Sequence, residues 1–138
     1  MRALSLYLFV SSIDESLAFY RLLGLSVERV SDSFGRASLG EEVILELGAS
    51  ALTSSYDPGY IAPPGISKGT INFELESSEI VDERFRQLVD SGYAGYLEPI
   101  DALWQARFAI VLDPDGNQVG LHGPRNPSEN REREQGVA

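Results

Sequence analysis

The feature that most restricts this chain is a sequence of strand and helix signals that occurs twice. Leu4, Leu6, Leu8 and Val10 alternate with Ser5, Tyr7 and Phe9, a period of two that predicts a strand with an aliphatic face turned to a helix. Ser11-Ser12-Ile13-Asp14-Glu15 supplies N-cap candidates and early acidic charge. Leu17, Phe19, Tyr20 and Leu23 follow at helical spacing, and Gly24 ends that helix. Leu25–Val30, Ala37–Leu39 and Val43–Leu47 predict three more strands, with Ser31–Gly35 as a turn. The same order returns at Thr70–Leu75. Ser77-Ser78 leads into a helix carrying Ile80, Val81, Phe85, Leu88 and Val89 and stopped by Gly92. Tyr93–Ile100, Arg107–Leu112 and Gln118–His122 then close a second β-α-β-β-β series.

A repeat of this kind predicts an α+β chain of two tandem β-α-β-β-β modules whose mixed sheets curve around a cleft. The modules are assigned to residues 1–48 and 70–123. Residues 49–69, with Pro58-Gly59 and Pro63-Pro64-Gly65, read as a long loop that is either a linker or a lid. Within it, Tyr56 and Tyr60 are candidates to close over the cleft. Residues 124–138 are polar and charged, and predict a disordered or loosely docked tail.

The turn Asp113-Pro114-Asp115-Gly116-Asn117 lies between two apolar runs. Pro114 presets φ for a corner, Asp115 bonds its own backbone and Gly116 accepts positive φ, so the segment predicts a β-hairpin. Net charge bears on partners: at −10 over 138 residues the chain argues against nucleic acid and favours either simple solubility or a cationic ligand. There are no cysteines, so disulfides and thiolate metal sites are excluded. No apolar run has the length of a membrane span or the form of a cleavable signal, which makes a cytoplasmic protein the default expectation.

Ser16-Leu-Ala-Phe-Tyr20, Leu22-Leu-Gly-Leu25 and the Asp113–Asn117 turn, set within paired β-α-β-β-β modules, resemble the vicinal oxygen chelate superfamily. That group includes glyoxalase I, extradiol dioxygenases, fosfomycin-modifying transferases and bleomycin resistance proteins. The resemblance runs from about Leu4 to His122. It implies the glyoxalase/bleomycin resistance fold and a homodimer, with modules either kept within one chain or exchanged. In the metal enzymes, a His stands at the start of each module's first strand and a Glu, or another ligand, in each last strand. The matching positions here are Ser5, Thr70, Glu46 and Gly120. Only Glu46 is a competent ligand, and a divalent ion needs three or more protein donors. The expectation is therefore no metal and no cofactor, in the manner of the metal-free bleomycin resistance-type members.

Alternation from those positions turns Tyr7 and Phe9, Asn72 and Glu74, and His122 toward the same side. With Glu46, Trp104 and Arg107 they form the expected ligand-binding set: aromatic walls, neutral hydrogen-bonding groups and carboxylates, with Arg107 as a possible carboxylate partner. Each has a plainer alternative. His122, the only histidine, is either an acid/base or a satisfied strand-end residue. Glu46 is either a ligand-binding carboxylate or a solvated sheet residue. Trp104, the only tryptophan, either stacks on a ligand or fills core. The preferred reading is a binding protein that sequesters an aromatic or cationic small molecule such as an antibiotic, with no catalytic residue assigned. The alternative is a glyoxalase- or dioxygenase-like enzyme, with a displaced metal set such as Glu46, Glu74 and His122 or with metal-free acid/base catalysis.

Overall fold

The computed structural model describes residues 3–124; the polar tail assigned to 124–138 lies outside the described residues apart from Pro124. The element order is β1 (Ser5–Val10), α1 (Ile13–Leu23), β2 (Val27–Ser31), β3 (Phe34–Ser38), β4 (Ile44–Ala49), α2 (Ser50–Tyr56), β5 (Thr70–Glu74), α3 (Ser78–Asp90), β6 (Gly95–Asp101), β7 (Ala106–Leu112) and β8 (Gln118–Pro124). Two compact units result. One runs to Gly65 and takes in Asp113–Asp115; the other comprises Ile66–Leu112 and the chain from Gly116.

In the first unit the strand order is β1-β4-β3-β2, with β1 parallel to β4 and the other pairs antiparallel. Helix α1 starts where the Ser12 hydroxyl accepts from the Glu15 amide at 3.2 Å, a cap that stabilises such a helix by about 1 kcal/mol. It stops at Gly24, whose φ of 119° suits a residue with no Cβ. Leu17, Phe19, Tyr20 and Leu23 are buried, as are Leu45 and Leu47 of β4. The helix packs on β2, β3 and β4. Period two along β1 predicts an aliphatic face that packs on a helix. Instead Leu4 and Leu6 are exposed, and only Val10 of that row is fully buried.

The second unit repeats the plan with order β5-β8-β7-β6, β5 parallel to β8. Helix α3 is capped by Ser77, which accepts from the Ile80 amide at 3.3 Å, and packs on β6, β7 and β8. Val81 and Leu88 meet a core of Ala109, Val111, Val119 and Leu121. The β7–β8 hairpin pairs Leu112 with Gln118 around the five-residue turn, and Gly116 adopts φ of 84° as its sequence predicts.

Two expectations are corrected. The sequence predicts sheets that curve around a cleft; both are open four-stranded sheets, neither closed nor strongly curled. Alternation fixes which side chains share a face, but not how far a sheet bends. The second correction concerns the Ser-rich stretch after Gly48, which the sequence reads as loop throughout. Ser50–Tyr56 is a helix, with Thr53 buried although no side chain caps its start.

Candidate functional site

Strand register decides which side chains meet. In the first unit Tyr7 stands opposite Glu46, and Glu46 opposite Arg36, which in turn faces Glu28. Gly35 lies opposite Leu47 and its backbone meets the Leu17 side chain, so α1 covers that face and the Tyr7–Glu46 row lies on the other. Arg36 gives its Nε–H to Glu28 at 2.8 Å. Phe9, two residues from Tyr7, lies opposite Gly48 on the same side. Tyr7 and Phe9 meet edge to face at 5.3 Å, and the Tyr60 ring lies 4.6 Å from Phe9.

Gly48 is required there by space. A Cβ at that position would collide with the Tyr7 hydroxyl oxygen and the ring carbon that bears it. With the ring seated over the strand and α2 beside it, the Tyr7 hydroxyl is buried. It faces the hydroxyls of Thr53 and Tyr56 and the Glu46 carboxylate, yet makes no hydrogen bond of good geometry among the described residues. Burial is the main cause that pushes the Tyr7 phenol above its ordinary pKa. The Thr53 hydroxyl is likewise buried without a well-aligned hydrogen bond among the described residues.

In the second unit Asn72 lies opposite Gly120, and Glu74 opposite His122. Across the hairpin, His122 pairs with Phe108 and Gly120 with Ile110. The Phe108 and His122 rings are 4.5 Å apart, with Trp104 at 5.3 Å from Phe108 and 6.1 Å from His122. Trp104 sits in the β6–β7 turn, where Gln105 takes a φ of 62°, unusual for a residue with a Cβ. Trp104 is 57% exposed, so it does not fill core. The His122 Nε2 is buried and has no partner among the described residues. Burial pushes the imidazole below its ordinary pKa, against an opposing pull from the Glu74 charge.

Arg107 stands apart from this group. It lies opposite Gly123, whose backbone touches Ser77 and Val81, so it shares the α3 face. Its guanidinium bonds both Asp82 oxygens at 2.9 and 3.3 Å, and Asp101 at 3.3 Å. Trp104, His122 and Glu74 therefore gather on one face of the second sheet with Asn72. Tyr7, Phe9 and Glu46 gather on one face of the first. Phe108 is not among the residues the sequence singles out, although hairpin pairing around the Asp113–Asn117 turn places it opposite His122.

Asp113 and Asp115 serve the first unit. The buried Tyr20 hydroxyl donates to Asp113 Oδ2 at 2.6 Å, and the Ser11 amide donates to Asp115 Oδ1 at 2.9 Å. Burial, followed by the Asp113 charge, drives the Tyr20 phenol far above its usual range. The Phe-Tyr helix and the acidic turn are thus two halves of one contact.

These features define an α+β protein of two β-α-β-β-β units, each with one helix-covered face and one face carrying aromatic and carboxylate side chains. The profile of the Glyoxalase/Bleomycin resistance protein/Dioxygenase superfamily matches residues 2–121, and the chain belongs to that superfamily. No curated protein matches the sequence. Among solved structures, the hypothetical protein SA1046 from S. aureus is similar at 18% identity and TM-score 0.77, covering 89% of this chain and 94% of that one. A glyoxalase/bleomycin resistance protein/dioxygenase family enzyme from Burkholderia phytofirmans PsJN is similar at 22% identity and TM-score 0.75, over 87% and 96% of the two chains. A lactoylglutathione lyase from Agrobacterium tumefaciens is similar at 19% identity and TM-score 0.66, over 88% and 92%. At such identities the likeness is one of fold.

The family resemblance raises a metal centre, and the residues do not fit one. The Thr70 hydroxyl is bonded to Gln118 Oε1 at 3.3 Å. A Cβ on Gly120 would collide with Asn72 Oδ1, so the amide of Asn72 takes the place a ligand side chain would need. Among the described residues no three His, Cys, Asp or Glu side chains are grouped to hold an ion. No helix among the described residues is long and apolar enough to cross a membrane.

Proposed function

We propose that this member of the superfamily is a metal-independent binding protein for a planar aromatic small molecule, cationic in preference. The observation that carries the reading is the Trp104–Phe108–His122 ring cluster beside Glu74 on the open face of the second sheet. An exposed indole next to two further rings offers stacking area, and a cation on the ligand would find the Glu74 carboxylate. Asn72, on the same face, offers the ligand a directional polar contact. Sequestration of an antibiotic, as in bleomycin resistance proteins, is the form of this function that the acidic balance of the chain favours. A homodimer is part of the same reading, and sedimentation velocity tests it.

Titration with a panel of aromatic cations, bleomycin among them, should quench Trp104 fluorescence and raise the melting temperature. Silence across the panel in both signals would reject the reading. One observation favours a second reading, metal-free acid/base catalysis: His122 lies opposite the Glu74 carboxylate, and burial holds its imidazole below the ordinary pKa. In that case His122→Gln abolishes turnover of a ligand while leaving its binding largely intact.

A further inference from the structure

The first unit carries its own aromatic subsite, and the chain fills that subsite itself. We propose that Tyr60 is a built-in stand-in for an aryl ligand: a ring bearing a hydroxyl or similar group takes its place on Phe9 and reaches the Tyr7 hydroxyl when α2 swings away. The reading extends the binding function above to a second site, but does not need Trp104 or His122.

Four observations support it. Tyr60 contributes a phenol 4.6 Å from the Phe9 ring, tilted by 32°, which is how a bound aryl group would lie. Phe9 is still 43% exposed, so the ring stacked on it is not locked in a core. Helix α2, which leads to Tyr60, is weakly held. It has seven residues, lacks a side-chain N-cap and buries one residue, whereas α1 has both a cap and six buried residues. That one buried residue is Thr53, whose hydroxyl, like the Tyr7 hydroxyl it faces, makes no hydrogen bond of good geometry among the described residues.

The last point sets the direction of the effect. Two buried hydroxyls without good hydrogen bonds penalise the closed arrangement, since each gives up water for a poorly aligned contact. Lifting α2 lets both be solvated or bonded by a ligand. The opening therefore costs less than the lost stacking and Thr53 burial alone imply. Short helices with few buried contacts open at the low end of the stability range. A ligand that binds only the opened form then shifts the population toward it.

The test uses the full chain, hydrogen exchange across Ser50–Tyr56 and 4-methylphenol as the probe. Tyr60→Ala should speed exchange of these amides about tenfold, the scale of one lost ring pair. Millimolar 4-methylphenol should shift the Phe9 and Tyr7 amide resonances in the variant, and more weakly in wild type, where Tyr60 competes. Thr53→Val keeps the shape and removes a poorly bonded hydroxyl, so it should slow exchange and weaken the probe several-fold in wild-type background. Unchanged exchange in Tyr60→Ala, or a probe that leaves β1 unshifted in that variant, overturns the proposal. Probe shifts confined to Trp104 and its neighbours overturn it too, while leaving binding on the second unit intact. Should Tyr60→Ala not fold, Thr53→Val decides: faster or unchanged exchange rejects the idea.

Discussion

Replacing Tyr20 by Phe removes one oxygen atom and tests the contact between the two most recognisable sequence motifs. Tyr20 is fully buried, Asp113 is 4% exposed, and the bond between them is 2.6 Å long. Asp113 Oδ1 keeps its bond from the Asp115 amide at 2.9 Å, so the loss falls on Oδ2. Losing a phenol donor to a buried carboxylate costs about 2–3 kcal/mol. For a chain of this size that is a fall in Tm of about 6–12 °C. Calorimetry at pH 7 measures it. The pH dependence gives an independent check. The folded pKa of Tyr20 is raised above its unfolded value of about 10, so its contribution is intact below that pH and is lost as pH rises beyond it. Wild type should therefore lose about 1.4 kcal/mol per pH unit above pH 10 from this group, and Tyr20→Phe should lack that slope. Asp113→Asn combined with Tyr20→Phe should cost less than the two single changes summed, because the pair acts as a unit. A Tm within about 2 °C of wild type, with an unchanged alkaline limb, would refute the reasoning.

Three further outcomes follow from the geometry. Gly48→Ala should destabilise by about 2 kcal/mol or more, as its Cβ meets the Tyr7 phenol, and Tyr7→Ala in the same chain should recover part of the loss in urea unfolding. By NMR, His122 should titrate below its ordinary pKa, and Glu74→Gln should lower it further by removing the opposing charge. Because the folded pKa is depressed, the His122 contribution to stability is present above about pH 6.5 and is lost as pH falls through the folded value. Arg107→Met should cost about 1 kcal/mol, since the Asp82 pair is partly solvated, and should leave Trp104 quenching by aromatic cations unchanged.

Much of this molecule is legible in its sequence because alternation and helical spacing are local. The helices around Leu17–Leu23 and Val81–Leu88 can be read from caps and apolar spacing alone. The row of Asn72, Glu74 and His122 follows from period two, and register joins Glu74 to His122 directly. Arg107 shows where such reading stops short. Alternation along β7 is clear, but its phase is set by the pairing across the turn. Leu112 opposite Gln118 forces Phe108 opposite His122 and sends Arg107 to the other face, where Asp82 waits. Counting outward from the Asp113–Asn117 turn would have found Phe108. Helix α2 is hidden for a different reason. Ser50–Tyr56 has no capping side chain, and its one buried residue, Thr53, is seated beside Tyr7 by a tertiary contact that local spacing does not reveal. Sheet curvature is likewise not a local property, and the curved walls implied by the family likeness are absent from these two open sheets.

The central claim is that stacking and charge, without coordination, hold the ligand. Isothermal titration of one aromatic cation that quenches Trp104 tests it most directly, run with excess EDTA and again with added zinc or manganese. The predicted result is the same Kd in all three conditions, with Trp104→Ala weakening binding about tenfold or more. Binding that vanishes in EDTA and returns with the metal would contradict the account.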